Sequence, residues 1–165
     1  KKHSRDHGGT PATVALDQAG IAHTLHSYEH DPASDLSYGL EAAATLGLDP
    51  EQTFKTLCAY VDEEMVVAVV PVAGMLDLKA LASATGGKKA RMCPPADAER
   101  SSGYVVGGIS PIGQRTPRRT VVDETAQLYD AVYVSGGRRG LDIGLSPADL
   151  LTVTGGAYAP IAKES

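Results

Sequence analysis

The stretch Phe54-Lys55-Thr56-Leu57-Cys58-Ala59-Tyr60-Val61, followed after Asp62-Glu63-Glu64 by Met65-Val66-Val67-Ala68-Val69-Val70-Pro71-Val72, decides the fold. Each run has the length of a strand and is rich in residues that suit a pleated, half-buried surface. The short acidic link between them predicts an antiparallel pair. The run 65–72 is the longest apolar run of the chain. It suits a buried strand and falls far short of the roughly 20 residues of a membrane-spanning helix. Within the first run, Lys55 is the one charged residue.

Helix signals surround this pair. Thr10-Pro11 is a hydroxyl cap followed by proline at the first helical position, and predicts a helix to Ala19 with Gly20 past its end. Residues 21–28 alternate and read as a strand, broken by Asp31-Pro32; 37–46 is an Ala-rich helix stopped by Gly47. Asp49-Pro50-Glu51 reads as a turn, and Asp77 caps a helix over 78–85 that ends at Gly86-Gly87. A strand follows at 90–93, then a helical turn from Pro94-Pro95 to Arg100. Four β-like runs come next, at 104–109, Arg119–Asp123, 131–135 and Leu141–Leu145. Ser146-Pro147-Ala148-Asp149 starts the last helix. Strands outnumber helices and pair mostly at short range. The fold expected is a single α/β (α+β) domain with a mixed, curved, barrel-like sheet.

The 165 residues amount to one domain, large enough to bury a core without disulfides or structural metal. A hydrophobic share of 42% against 21% charged excludes disorder as the main state. Residues 1–9 are expected to be a polar, disordered lead-in and 10–165 the domain. No apolar block near residue 1 resembles a signal peptide, and two cysteines form no disulfide framework, so a reduced cytoplasmic setting is expected. The net charge of −5 hides an asymmetry. Residues 1–87 carry 5 Lys/Arg against 12 Asp/Glu, whereas 88–139 carry 9 against 5. A basic middle in an acidic chain fits a local patch for an anion or a solvated surface, and is too modest for a non-specific DNA binder.

Familiar catalytic patterns fail. His23, His26 and His30 follow an H-x2-H-x3-H spacing, but His23 and His26 face opposite sides of a strand, so no metal site is expected. Gly87-Lys88-Lys89 lacks the rest of a P-loop: position 82 is Ala and position 89 is neither Ser nor Thr. Around Ser110 the second glycine of a nucleophile elbow comes one residue late and Pro111 follows. What remains are two glycine-rich segments, 107–113 and 135–140, each after an apolar run, where backbone N–H groups can approach a ligand. Lys55 either points to solvent or faces a pocket and donates to a carbonyl or phosphate.

In these residues the chain resembles the YbaK/EbsC family. The matching stretches are His26-Ser27-Tyr28-Glu29-His30-Asp31-Pro32, Phe54-Lys55-Thr56-Leu57, Pro71-Val72-Ala73-Gly74-Met75-Leu76-Asp77-Leu78-Lys79, Gly103-Tyr104-Val105-Val106-Gly107-Gly108-Ile109-Ser110-Pro111-Ile112-Gly113 and Tyr133-Val134-Ser135-Gly136-Gly137-Arg138-Arg139-Gly140-Leu141-Asp142-Ile143. They occur in order across roughly residues 10–160.

The resemblance implies an editing-domain fold and an aminoacyl-tRNA deacylase that clears Cys-tRNA(Pro) in trans, with Cys-tRNA(Cys) as a further substrate. Cysteine and proline are close in size, and a synthetase pocket rejects near-isosteres poorly. It implies attack by the substrate's own thiol, so that the enzyme positions rather than attacks. Lys55 is then the catalytic cation. Substrate binding falls to Tyr28, Thr56, Gly107, Gly108, Ile109, Ser110, Ser135 and Asp142, with Asp142 holding the substrate ammonium or Lys55. Lys88, Lys89, Arg91, Arg115, Arg118, Arg119, Arg138 and Arg139 are the candidates for tRNA phosphates. The implied partners are the acceptor end of a mischarged tRNA and prolyl-tRNA synthetase in a ternary complex, with no cofactor, metal, DNA or membrane. Competing expectations are a sister specificity for Ala- or Ser-tRNA, a silent tRNA- or synthetase-binding module, and a small-molecule protein reusing the fold.

Overall fold

A computed structural model describes residues 9–165. The expected lead-in of residues 1–9 thus lies, apart from Gly9, outside the described residues. Helix α1 (Pro11–Ala19) starts as expected: Thr10 and Thr13 form a reciprocal capping box, and Gly20 closes the helix at φ 68°. Strand β1 (Thr24–Ser27) is shorter than the alternating run 21–28, because the chain is still tied to α1 by the Ile21 amide on the Leu16 carbonyl. Helix α2 (Tyr38–Leu46) is capped by Ser37 and stopped by Gly47.

Strands β2 (Phe54–Val61) and β3 (Glu64–Pro71) form the expected antiparallel pair, in register from Phe54 opposite Pro71 to Val61 opposite Glu64. Asp62 turns the hairpin at φ 53°, and its carboxylate accepts the amides of Lys88 and Lys89. Next come β4 (Gly74–Leu76), α3 (Leu78–Ala84), β5 (Ala90–Met92), α4 (Pro95–Ser102) and β6 (Arg119–Asp123). A 3-10 helix (Glu124–Leu128) leads to β7 (Val132–Arg138), β8 (Leu141–Leu145), α5 (Pro147–Thr154), β9 (Ala157–Ala159) and β10 (Ala162–Glu164). The central sheet runs β5-β2-β3-β6-β9, with β3–β6 and β6–β9 parallel. A second sheet, β1-β8-β7, is antiparallel, and β10 pairs with β4.

The α/β class and the mixed sheet are as expected; the barrel does not close. The central sheet ends at β5 and β9, which do not pair with each other. Pairing is also less local than expected, since β3–β6 and β6–β9 join distant segments. Residues 104–109 are a bent loop and not a strand. Gly103 and Gly107 sit at φ 82° and 90°, outside the strand region. The loop's backbone is satisfied locally: the Val106 amide donates to the Glu99 carboxylate and the Gly108 amide to the Val105 carbonyl. Its apolar residues do not share one buried face: Tyr104 is buried, its hydroxyl donating to the Ile112 carbonyl at 2.6 Å, whereas Val105 is 52% exposed.

Strand β3 explains the continuous apolar run. Met65, Val67 and Val69 pack into one core cluster with Phe54, Val122, Ile143 and Leu150; Val66, Ala68 and Val70 pack into a second with Leu81, Val121 and Ile161. A strand buried on both faces has no polar alternate positions. Asp123, 2% exposed at the end of β6, ties the chain's last turn to the sheet: one carboxylate oxygen accepts the Ile161 and Ala162 amides and the other accepts Thr125.

Candidate active site

Strand β2 emerges from the core with Lys55 on the face opposite Phe54 and Cys58. It borders a cavity of about 420 Å³ walled by the start of α2, by β2, by the segment from Met92 into α4, by the 106–109 loop and by the β7–β8 pair. Gly39 lets α2 approach this wall: a Cβ there would lie 2.4 Å from Val72 Cγ1 and 3.9 Å from Lys55 Cβ. The cavity is thus built where these segments and Tyr28, just past β1, meet, with Lys55 at its side.

Two ionisable groups face this space without partners. Lys55 is half-buried, and loss of hydration lowers its pKa. Asp142 stands on β8 opposite both His26 on β1 and Ser135 on β7. It is 5% exposed, and burial alone pushes its carboxyl from the ordinary 3.8 up to about 7. Among the described residues neither group has an ion pair, so the expected Lys55–Asp142 contact is not formed. Thr56 Oγ1 is buried with no hydrogen-bond partner among the described residues and lies in the same lining. Unpaired buried polar atoms in a concave site are what a polar ligand completes.

The mouth is clasped by a chain of contacts. Arg139 donates through Nε and a terminal nitrogen to the Val106 carbonyl at 3.0 and 2.7 Å, and its guanidinium lies 4.9 Å over the Tyr38 ring. Tyr38 meets the His30 ring at 5.5 Å, and His30 Nδ1 bonds Glu41 at 2.8 Å. The buried Glu41 carboxyl also accepts the Asp31 amide, and that bond, ahead of His30, holds its pKa below the usual range. Gly107 sits inside this clasp at φ 90°; a Cβ would lie 2.8 Å from Tyr38 ring carbons and 2.9 Å from Arg139 Nε.

Of the residues expected at the site, Lys55, Tyr28, Thr56, Gly107, Ile109, Ser135 and Asp142 line the cavity. Two do not. Gly108 packs against backbone, with its absent Cβ 2.7 Å from Arg138 Cα, and its amide is spent on Val105. Ser110 is fully buried and accepts the Ile112 amide, so it builds the turn.

The basic residues make separate local contacts. Arg139 is at the mouth, with Arg138 exposed beside it. Arg91 stacks over Tyr60 at 4.6 Å, Arg118 donates to Ser101, and Arg119 donates to the Thr85 carbonyl and lies 3.9 Å from Glu64. Lys88 and Lys89 are exposed beside Asp62, and Arg115 packs over Gly103. The three histidines have separate partners: Ile21 carbonyl for His23, Thr24 for His26, Glu41 for His30. Sequence reading missed Ser37, Tyr38, Gly39, Phe54, Cys58, Met92, Cys93, Pro95 and Ala98 as lining. The helix expected over 37–46 was legible, but nothing in it signalled a wall.

Comparison with known proteins agrees with this geometry. The family model for the aminoacyl-tRNA editing domain matches residues 36–153. A curated protein of Enterococcus faecalis named "Putative Cys-tRNA(Pro)/Cys-tRNA(Cys) deacylase EbsC" is 41% identical over 138 residues, covering 83% of this chain and 84% of that protein. The Bacillus subtilis protein YwhH, uncharacterised, is 26% identical over 110 residues, covering 67% of this chain and 70% of its own. A solved structure described as "a putative trans-editing enzyme for prolyl tRNA synthetase" superposes with a TM-score of 0.78 at 26% identity, over 93% of this chain and 95% of that one. From the matched domain, the relative in register over most of both chains, and the shared fold, it follows that the chain belongs to the aminoacyl-tRNA editing domain family.

Proposed function

We propose that this chain is an aminoacyl-tRNA deacylase that clears Cys-tRNA(Pro) in trans, with Cys-tRNA(Cys) as a further substrate. The observation that carries the reading is one small cavity holding an unpaired ammonium, an unpaired carboxyl and an unpartnered hydroxyl. An aminoacyl ester supplies what they lack. Its α-ammonium answers Asp142, and its ester and ribose oxygens answer Lys55 and Thr56. The E. faecalis relative's name and the family match favour tRNA as the carrier of that ester.

No group in the cavity is set up as a nucleophile. Among the described residues, no hydroxyl or thiol lining it hydrogen-bonds a histidine or a carboxylate. Burial pushes the Cys58 thiol up to about 11 and raises Cys93 as well. The substrate thiol is then the attacking group. Its sulfur bonds the carbonyl carbon, the ester C–O bond breaks, and the thiol proton ends on the ribose oxygen. Free tRNA and a cyclic thiolactone leave. Lys55 holds the oxygen on which negative charge develops, and a fixed near-attack geometry supplies several kcal/mol of the barrier. Arg139 at the mouth is the basic residue best placed for a phosphate of the acceptor end, and prolyl-tRNA synthetase is the partner proposed to deliver it.

The test is deacylation of Cys-, Ala- and Ser-tRNA(Pro) side by side, by wild type and Lys55→Ala. Rapid loss of the cysteinyl ester alone, abolished by Lys55→Ala with the thermal melt retained, supports the reading. Preference for the alanyl ester moves the chain to a sister specificity. Efficient release of serine refutes thiol attack, since a hydroxyl is the far weaker nucleophile. Inactivity on all three esters refutes the deacylase.

A further inference from the structure

Cys58 and Cys93 line the cavity, are both free, and have no part in the proposed reaction. They come from neighbouring strands. The β2–β5 register pairs Val61 with Ala90, Tyr60 with Arg91 and Ala59 with Met92. One step further sets Cys58 opposite Cys93, and there the Cys93 amide donates to the Cys58 carbonyl at 3.1 Å. Opposed residues on antiparallel strands send their side chains to one face. Both thiols accordingly belong to the same core cluster, with Phe54 and Ala98.

Such a hydrogen-bonded pair places its Cα atoms about 5.5 Å apart, inside the roughly 4.4–6.8 Å range that a disulfide spans. Its Cβ atoms, about 4.5–5.5 Å apart, are further apart than the ~3.8 Å mean of a disulfide. Bond formation therefore draws the strands together and leaves some strain, which is the mark of a readily reduced bridge. Strand β5 can make that move: it is three residues long, lies at the sheet's edge and continues directly into the wall of the cavity.

We propose that Cys58 and Cys93 are a reversible oxidation site, closed to an intramolecular disulfide by a peroxide, and that closure pulls the wall between β5 and α4 inward and slows turnover. The statement about turnover rests on the deacylase reading; the bond itself does not. Cys93 is the first attacker, being 9% exposed against 4% for Cys58. Burial, and after it Asp97, raises its pKa, and Arg91 and Arg118 offset this in part. The thiolate breaks the peroxide O–O bond to give a sulfenic acid and hydroxide. Cys58 then attacks that sulfur and the sulfenic oxygen leaves. Two thiols lose two electrons and two protons, and the peroxide becomes two waters. Burial of both thiols makes the reaction slow at neutral pH and faster as pH rises toward their pKa values.

The experiment uses the full chain, freed of reductant and treated with hydrogen peroxide. Thiols are counted under denaturing conditions, peptides are mapped by mass spectrometry, and deacylation of Cys-tRNA(Pro) is measured before and after. The expected result is loss of both thiols, a Cys58–Cys93 linked peptide in a monomeric chain, and turnover lowered by up to about a hundredfold, the scale of a roughly 1 Å misplacement at a site. A thiol reductant, removed before assay, restores turnover. Cys93→Ser removes the oxidant sensitivity whatever its own turnover. Two thiols surviving the peroxide, or a link between chains, overturns the site. A linked pair with unchanged turnover overturns the control of turnover. A linked pair in a chain inactive on every ester leaves the site standing and removes the deacylase reading.

Discussion

Asp142→Asn is expected to make the protein more stable and less active, and the gain in stability is expected to grow with pH. Burial raises the carboxyl from 3.8 to about 7 in the fold. A carboxyl with a raised folded pKa is favoured when protonated, so its contribution to stability is lost as pH climbs from about 4 through about 7. The difference of about 3 units corresponds to about 4 kcal/mol lost by neutral pH, at about 1.4 kcal/mol per unit. At pH 5 only about 2 kcal/mol of this has been lost. Asparagine keeps the shape and carries no charge. Unfolding free energies of wild type and Asp142→Asn from urea melts at pH 5 and pH 8 should therefore differ by about 2–3 kcal/mol more at pH 8. An equal difference at both values refutes the claim that burial holds this carboxyl neutral. In the same samples the variant should lose most of its kcat/KM on Cys-tRNA(Pro), with the loss chiefly in KM, because the ammonium of the substrate has no counter-charge. Wild-type kcat/KM should fall more steeply below about pH 7 than that of the variant, since in wild type Asp142 takes up its proton on top of the substrate thiol's own titration.

Two further outcomes follow from named contacts. Gly107→Ala forces a side chain at φ 90° into Tyr38 and Arg139; it should lower stability by about 1–3 kcal/mol and open the clasp, read as a lower thermal midpoint together with reduced turnover. Asp123→Ala orphans the Ile161 and Ala162 amides; it should cost about 2–4 kcal/mol, with hydrogen exchange accelerated first at those two amides, and unchanged exchange there would show that the carboxylate does not hold the last turn.

What could be read from the sequence was local. The β2–β3 hairpin and the α1 start were legible because their signals lie within one element: two apolar runs around an acidic turn, and Thr10 before Pro11. The β3–β6 and β6–β9 pairings were not, since no local pattern records which distant strand will lie alongside another. Residues 104–109 misled because an apolar run looks like a strand when composition is the only guide, whereas here Tyr104 is buried, Val105 is exposed and the backbone is held by local bonds. At the site, Lys55 was legible as a charge inside an apolar strand. Tyr38, Met92 and Ala98 were not, because each becomes a wall only when α2, β5 and α4 converge on β2. Gly108 and Ser110 show the converse: residues that fit a binding motif by type serve backbone packing and a turn.

Strand β5 divides the labour between folding and choice of substrate. The wall it begins, from Met92 to Ala98, borders the cavity from the sheet's margin, whereas Lys55 and Asp142 are carried on paired strands of two sheets. Substitutions along that margin can enlarge or shrink the space offered to an amino-acid side chain while the strands bearing the charged groups stay in register. One scaffold can in this way be retuned from one small amino acid to another by a single peripheral segment, with its foldability left largely untouched.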